Sequence, residues 1–284
     1  MIAAAAATSR LFAAVDGVSV ERFSSPSLPG QGRVLVVLPP SYGLDPTRRY
    51  PVLYFLHDAW GDERSLETHG VAAEIRRRMA DGRLREFLLV APGARGSWFS
   101  DSYDGKNLWE KFLSAELPRQ VEARYRAIPA ASARGITGIS MGGYGAVKLA
   151  LKHPELYGAV SALSGALIPF GWEDIKRYSF VARWTLKSVF GRSEHENSLA
   201  ENDVWEILRA SRFETSPFPL YLRGGTEDVY GLGRVAAQFA AFSREHGVAA
   251  SAILEPGGHD WDYWRRAIFP ICEWHASRFS YDAK

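Results

Sequence analysis

Residues 135–150, which read GITGISMGGYGAVKLA, decide the fold class of this 284-residue chain. The stretch contains a Gly-x-Ser-x-Gly pattern, from Gly138 to Gly142, with Ser140 at its centre. The apolar residues before the pattern predict a strand, and the small residues after it predict a helix. A serine at such a sharp turn needs small neighbours, because bulky side chains would clash with the strand or the helix. The pattern therefore predicts a nucleophilic serine at Ser140.

Backbone amides near this serine are the predicted oxyanion donors. The helix that begins behind Ser140 directs its first N–H groups toward the position where an oxyanion would form, which makes the Met141 amide the first donor. The second is expected in the loop HDAWG (57–61), which follows the apolar run VLYFL (52–56). We assign it to the backbone amide of Ala59, with that of Asp58 as the neighbouring alternative.

Short β-branched runs alternate with longer amphipathic ones along the chain, which predicts a mostly parallel, eight-stranded sheet flanked by helices. The first two strands are expected to form an antiparallel lead-in. The predicted strands are Ser19–Ser24, Arg33–Leu38, Val52–His57, Phe87–Ala91, Gly135–Ile139, Ala159–Leu163, Leu220–Gly224 and Ala250–Glu255. The predicted helices are Arg64–Asp81, Leu108–Tyr125, Met141–Lys152, Val229–Glu245 and Trp261–Arg278. An aromatic-rich stretch, about 169–211, is interpreted as a small helical cap inserted into a single domain that spans residues 1–284.

Two further loops supply an acid and a base in the order expected for an α/β-hydrolase: serine, acid, histidine. The strand at 220–224 is followed by a glycine turn that carries two candidate carboxylates, Glu227 and Asp228. The last strand is followed by two glycines and His259. A histidine on this loop can reach the nucleophile, so His259 is the predicted base.

Composition excludes several classes of protein. Thirty-four Lys and Arg against 32 Asp and Glu leave a net charge of +2, and the Arg76–Arg78 triplet lies in a segment with helical apolar spacing, so no nucleic-acid partner is expected. The chain has no run of about 18 apolar residues, so no membrane partner or transmembrane segment is expected. The lone Cys272 lies in an apolar stretch and is interpreted as a buried thiol. No metal or organic cofactor is predicted.

The apolar run Ile2–Ala7 is too short to span a bilayer and lacks the features of a complete signal peptide. It is interpreted either as the remnant of a trimmed signal or as a ragged helix. A cytoplasmic and a secreted location both stay open, and a homo-oligomer is one assembly that the sequence allows.

Several motifs together resemble the esterase D-like family of α/β-hydrolases. They are PVLYFLH (51–57), SWFSDS (97–102), the nucleophile run 138–150 with KHPEL (152–156), SGA (164–166) and GTED (225–228). The family includes S-formylglutathione hydrolases, tributyrin-type carboxylesterases, feruloyl and acetylxylan esterases, and mycolyltransferases. The resemblance implies Ser140, Asp228 and His259 as the triad, with the amides of Met141 and Ala59 as the oxyanion hole. The family usually has His-Gly at the first oxyanion loop, where this chain has His57-Asp58.

The favoured function is that of a serine esterase (EC 3.1.1 type) acting on small-molecule or carbohydrate esters with short or aromatic acyl groups, including feruloyl and acetyl esters. Hydrolysis of S-formylglutathione, acyl transfer by the same triad, and a non-catalytic binding module are the alternatives. The candidate pocket residues are Asp58, Trp98 and Trp172. Trp98, Phe99 and Tyr103 follow the fourth strand and are expected beside the site.

Overall fold

The computed structural model describes residues 17–169, 180–191, 196–211 and 213–282. The apolar run Ile2–Ala7 and the candidate pocket residue Trp172 lie outside the described residues, as does part of the stretch interpreted as a cap. In the described part of the chain, no helix is long and apolar enough to cross a membrane.

An eight-stranded sheet forms the centre of the molecule, as the alternating sequence pattern predicts. Its strands are β1 (Val18–Phe23), β2 (Gly32–Val37), β3 (Val52–Leu56), β4 (Leu88–Pro92), β5 (Arg134–Gly138), β6 (Ala159–Leu163), β7 (Leu220–Gly225) and β8 (Ala250–Glu255). They lie in the order β1-β2-β4-β3-β5-β6-β7-β8. The β2 strand is antiparallel to both its neighbours and the remaining pairs are parallel, so the predicted antiparallel lead-in and mostly parallel sheet are confirmed.

Helices flank this sheet. They are α1 (Ser65–Thr68), α2 (Val71–Ala80), α3 (Trp109–Lys111), α4 (Leu117–Arg124), α5 (Met141–Lys152), α6 (Phe180–Phe190), α7 (Glu196–Ala200), α8 (Val204–Ala210), α9 (Leu232–Glu245) and α10 (Trp261–Ala276). A π-helical turn, Phe112–Glu116, joins α3 to α4. The helices α6, α7 and α8 lie between β6 and β7 in the chain, where the sequence predicts a helical insertion.

Three of the predicted helices differ from the structure. The helix predicted from Leu108 to Tyr125 is divided into α3, the π-helical turn and α4. The helix predicted from Arg64 to Asp81 is two helices, because Gly70 between them takes a left-handed conformation with φ +72°. The helix predicted from Val229 begins instead at Leu232, because the Gly231 amide donates to the Asp228 carbonyl in a turn before it. Gly70 and Gly231 thus set these two helix boundaries with positive φ, although the apolar spacing around each glycine continues.

Side chains alternate across each strand and build an apolar core on both faces of the sheet. On β2, Val34 and Val36 join the core formed with α4, α5 and α9, whereas Leu35 and Val37 join the core formed with α2 and α10. This two-sided burial explains why the central strands are almost continuously apolar. Cys272 on α10 lies in the second core, where burial raises its thiol pKa to about 12.

Strand register brings the functional loops to one edge of the sheet. Leu56 at the end of β3 pairs with Gly138 at the end of β5, and Gly225 at the end of β7 pairs with Glu255 at the end of β8. Parallel strands that end together present the loops that follow them at the same edge. The loops carrying Asp58, Ser140, Asp228 and His259 therefore all begin at the carboxyl edge of the sheet.

A buried histidine lies in the α10 side of the core. His275 is fully buried, and its Nε2 lies 2.8 Å from Oγ of Ser161 on β6. The Ser161 hydroxyl donates to Thr137 Oγ1 at 2.7 Å, so His275 Nε2 carries the proton and donates to Ser161. Its Nδ1 is buried without a hydrogen-bond partner among the described residues. Burial, assisted by the charge of Arg278, lowers the pKa of His275 to about 3.

This histidine makes the folded state sensitive to acid. As pH falls below 6.5, the ordinary pKa of histidine, the unfolded chain takes up a proton here, whereas the folded chain stays neutral down to about pH 3. Stability is therefore complete above pH 6.5 and is lost as pH falls through this window. We expect the free energy of unfolding of the wild type to fall by about 2 kcal/mol more than that of His275→Gln between pH 7 and pH 5, measured by urea unfolding. Equal losses in the two proteins would contradict a neutral buried imidazole.

Candidate active site

Ser140 occupies a strained turn between β5 and α5. Its φ of 55° and ψ of −114° place it in a region that L-residues rarely adopt. The Ser140 amide donates to the Leu163 carbonyl at 3.0 Å, and its own carbonyl accepts from the Ala166 amide at 3.0 Å. These backbone bonds to the end of β6 and the loop after it hold the strained residue in place.

The glycines of the motif allow this turn to close. A Cβ on Gly138 would lie 2.3 Å from the Gly142 carbonyl carbon, and a Cβ on Gly142 would lie 2.1 Å from the Leu56 carbonyl oxygen. Backbone atoms at such distances cannot move aside without opening the turn. The spacing that the sequence motif requires therefore has a direct steric cause.

A single row of hydrogen bonds joins the three side chains singled out in the sequence. Ser140 Oγ lies 2.9 Å from His259 Nε2, and His259 Nδ1 lies 2.7 Å from Asp228 Oδ2. The Asp228 side chain is 1% exposed, that of His259 is 11% exposed and Ser140 is 9% exposed, so the whole row is largely shielded from solvent. The alternative acid, Glu227, is exposed, whereas Asp228 contacts the imidazole.

Backbone contacts hold the acid and histidine loops together. The Thr226 amide donates to the Glu255 carbonyl at 2.9 Å, and the Glu227 amide donates to the Gly257 carbonyl at 3.0 Å. A Cβ on Gly225 would lie 2.0 Å from the Gly257 oxygen, so this close approach requires glycine. Asp228 Oδ1 also accepts from the Tyr230 amide at 2.8 Å, which fixes the carboxylate plane.

His57 orients the peptide that joins Asp58 to Ala59. Its Nδ1 lies 2.7 Å from the Asp58 carbonyl oxygen, and its Nε2 accepts from the Ala94 amide at 2.9 Å. The first bond needs a proton on Nδ1 and the second needs a bare Nε2, so the ring is neutral. Burial, which lowers the pKa of His57, favours the same state. In a trans peptide the N–H points opposite to the C=O, so the Ala59 N–H points away from His57.

The helix start and this loop lie side by side. Met141 is the first residue of α5, so its N–H has no acceptor within the helix. A Cβ on Gly142 would lie 2.6 Å from the His57 carbonyl oxygen, which shows how closely the loop approaches the helix. The loop that carries Ala59 therefore approaches the start of α5, and the oxyanion roles of the Met141 and Ala59 amides stay predictions.

Asp58 stabilises a turn at the position where the family usually has glycine. Its Oδ1 accepts from the Trp60 amide at 3.0 Å, and its carbonyl accepts from the Gly61 amide at 3.1 Å. Asp58 is not among the described non-glycine residues with positive φ, so its backbone conformation does not demand glycine. Asp58 is only 5% exposed, and its Oδ2 is buried without a hydrogen-bond partner among the described residues. Its predicted pocket role stays a prediction.

The loop after β4 contains two more strained residues. Trp98 and Phe99 have φ of 53° and 51°. The Trp98 ring packs edge-on against Tyr144 of α5 at 5.6 Å between centroids, and its Nε1 donates to Thr185 of α6 at 3.1 Å. Trp98 and Phe99 are buried, whereas Tyr103 is 47% exposed. Trp98 thus links α5 to α6, and its pocket role stays a prediction.

A buried lysine on α5, which sequence reasoning missed, holds the loop after β4 by hydrogen bonds. Lys148 is fully buried, and its Nζ donates to the Phe99 carbonyl at 3.0 Å and to Ser100 Oγ at 2.6 Å. It also donates to Glu110 Oε2 at 2.7 Å and Asn202 Oδ1 at 3.3 Å. Burial lowers the pKa of Lys148 to about 8, against the attraction of Glu110. The sequence signal that could have indicated this buried lysine was a single charged residue within an otherwise apolar part of the helix.

Removing this cation should destabilise the fold. Lys148→Met leaves the Phe99 carbonyl, Ser100 and the Glu110 carboxylate without their buried donor, so we expect a loss of about 3 kcal/mol in the free energy of unfolding. Lys152→Met is the matched control, because Lys152 also contacts Glu110, at 2.8 Å, but is 29% exposed. Its expected loss in urea unfolding is below about 1 kcal/mol. Equal losses for the two variants would contradict the fastening role.

Comparison with known proteins agrees with the family resemblance described in the sequence analysis. The model of a family described as putative esterases matches residues 25–275. An acetyl esterase of Caldicellulosiruptor saccharolyticus is 26% identical over 75% of this chain and 84% of its own length. An esterase of Mycobacterium tuberculosis is 32% identical over 51% of this chain, but the match spans only 31% of that relative. A solved ferulic acid esterase superposes with a TM-score of 0.77 at 26% identity, covering 93% of this chain and 98% of its own.

Proposed function

Because the chain belongs to the family of putative esterases, we propose that it is a carboxylic ester hydrolase with Ser140 as nucleophile, His259 as base and Asp228 as the orienting acid. The observation that carries the proposal is the hydrogen-bonded row from Ser140 Oγ through His259 to Asp228 on a strained strand-to-helix turn. A lone serine is a weak nucleophile, and a histidine at 2.9 Å can accept its proton as it attacks. The acid keeps the imidazole in the tautomer that leaves Nε2 free to do so.

The reaction follows from these positions. As Ser140 Oγ bonds to the ester carbonyl carbon, its proton moves to His259 Nε2 and the carbonyl oxygen becomes an oxyanion. The Met141 and Ala59 amides stabilise that oxyanion. The intermediate then collapses: the bond to the alcohol oxygen breaks, His259 donates the proton to the departing alcohol, and an acyl-serine remains. Water then attacks the acyl carbon as His259 takes one of its protons. The bond from that carbon to Ser140 Oγ breaks, His259 returns the proton to Ser140 Oγ, and the carboxylic acid leaves.

We further propose that the substrates are esters with short or aromatic acyl groups, such as acetyl or feruloyl esters of carbohydrate. The support is the likeness to an acetyl esterase and to a ferulic acid esterase, both at 26% identity. The S-formylglutathione hydrolases that share the fold are about 19% identical, which supports the fold alone.

Turnover across one panel tests the proposal. It contains 4-nitrophenyl acetate, butyrate and a long-chain ester, methyl ferulate, and S-formylglutathione, with kcat/KM measured for each. We expect the acetyl and feruloyl esters to be the best substrates. A clear preference for the thioester would overturn this choice. Added alcohols, with product analysis, separate hydrolysis from acyl transfer, which is the alternative suggested by a Mycobacterium leprae mycolyltransferase that is 30% identical over 57% of this chain.

A further inference from the structure

An exposed aromatic ring lies directly against His259. The Tyr230 ring stands edge-on to the imidazole, with 4.9 Å between centroids and an interplanar angle of 86°. Tyr230 is nevertheless 66% exposed, and the neighbouring Val229 is 83% exposed. The Tyr230 amide is bonded to Asp228 Oδ1, so the ring is carried on a rigid turn rather than on a free loop.

Support of the imidazole alone does not account for this exposure. Trp264 already packs edge-on against His259 at 4.9 Å between centroids, and it is only 5% exposed, with its Nε1 bonded to Ser164 Oγ. Tyr230 adds a second ring contact but leaves about two thirds of its surface to solvent. An aromatic surface this exposed and in contact with His259 is available to a ligand.

The direction of proton transfer decides which part of an ester reaches Tyr230. His259 donates its proton to the leaving oxygen, so that oxygen must lie against the imidazole, while the carbonyl oxygen faces the Met141 and Ala59 amides. The group attached to the leaving oxygen therefore extends past His259, the residue whose imidazole the exposed Tyr230 ring contacts.

We propose that Tyr230, with Val229, forms a subsite for the alcohol part of the ester, and that it takes alcohols bearing a sugar ring. A sugar has one face of C–H groups that can lie on an aromatic ring, while its hydroxyls remain in water. This suits a ring that stays largely exposed, since a wholly apolar alcohol gains most where it is fully buried. The inference rests on the proposed function, because it requires His259 to protonate the leaving group.

The test compares acetate esters that differ only in the alcohol. Wild type, Tyr230→Ala and Tyr230→Phe are assayed on a methyl xyloside monoacetate, 2-methoxyethyl acetate, cyclohexyl acetate and phenyl acetate. Loss of one ring contact should lower kcat/KM of Tyr230→Ala on the sugar acetate about 3- to 10-fold, mainly through KM, with less than about twofold change on 2-methoxyethyl acetate. Tyr230→Phe should stay close to wild type. Leu44→Ala, which removes an 83% exposed apolar side chain in the segment before β3, is the matched control.

The other outcomes overturn the inference. An equal fall on all four acetates would show that Tyr230 only supports His259, and no fall on any would show that it does not touch the alcohol. A larger fall on the cyclohexyl or phenyl ester than on the sugar acetate would replace the sugar with an apolar alcohol. A wild type that hydrolyses none of the esters would overturn the proposed function, and the subsite with it. An active wild type whose kcat/KM changes by the same factor on all four acetates in Tyr230→Ala would overturn the subsite alone.

Discussion

Replacing Ser140 by alanine is expected to lower kcat on an ester substrate by about 10⁶-fold while leaving the protein folded. The loss is this large because the row from Ser140 to Asp228 acts as a unit: without the hydroxyl, the histidine has no proton to accept. The measurement is steady-state turnover of 4-nitrophenyl acetate, with circular dichroism to show that the fold is retained. Ser243→Ala is the matched control, because Ser243 is fully buried and its hydroxyl donates to the Phe239 carbonyl of the same helix, α9.

The strained backbone at Ser140 gives this experiment a second readout. Alanine keeps a Cβ at φ 55°, whereas glycine adopts positive φ without steric cost. Ser140→Gly should therefore be more stable than Ser140→Ala by about 1 kcal/mol in urea unfolding, with both inactive. An Ser140→Ala protein that retains most of its turnover would refute the nucleophile assignment, whatever its stability.

Exchanging Asp228 for asparagine should lower kcat by about 10⁴-fold. The Asp228 carboxylate accepts the His259 Nδ1 proton at 2.7 Å, and an asparagine amide can present its NH₂ group there instead. That would stabilise the tautomer with its proton on Nε2, which cannot accept the proton of Ser140. Turnover of the same ester at pH 7 measures the effect.

Glu227→Gln is the matched control for this change. Glu227 is the adjacent acid on the same turn and carries the same charge, but it is exposed. We expect its turnover to stay within about twofold of wild type, because the charge of an exposed side chain is screened by solvent. A larger loss in Glu227→Gln than in Asp228→Asn would transfer the orienting role to Glu227.

The strands and the candidate triad were predictable because each leaves a local pattern. Short runs rich in β-branched and aromatic residues mark most of the strands, and the glycines around Ser140 and before His259 mark turns where backbones approach closely. Asp228 follows a strand end in the same way. The chain order of these residues then places all three at one sheet edge, so their convergence needs no long-range information beyond the fold class.

The residues that escaped prediction act through contacts distant in sequence. Lys148 bonds to Phe99 and Ser100, nearly fifty positions away, and the sequence around Lys148 does not predict those partners. The neutral state of His57 depends on the Ala94 amide, 37 positions later. Tyr230 resembles any loop tyrosine until the fold brings its ring against His259. The break at Gly70 escaped for a different reason, since the apolar spacing continues unchanged across it.

The backbone bonds from Thr226 to Glu255 and from Glu227 to Gly257 join the acid and histidine loops directly. Neither bond involves any residue of the long connection between β6 and β7. The acid loop and the histidine loop therefore form one rigid unit. We expect the connection between β6 and β7 to tolerate changes in length or sequence without a change in the alignment of His259 with Asp228. We therefore expect substitutions in that connection to change substrate preference without changing the relative position of His259 and Asp228.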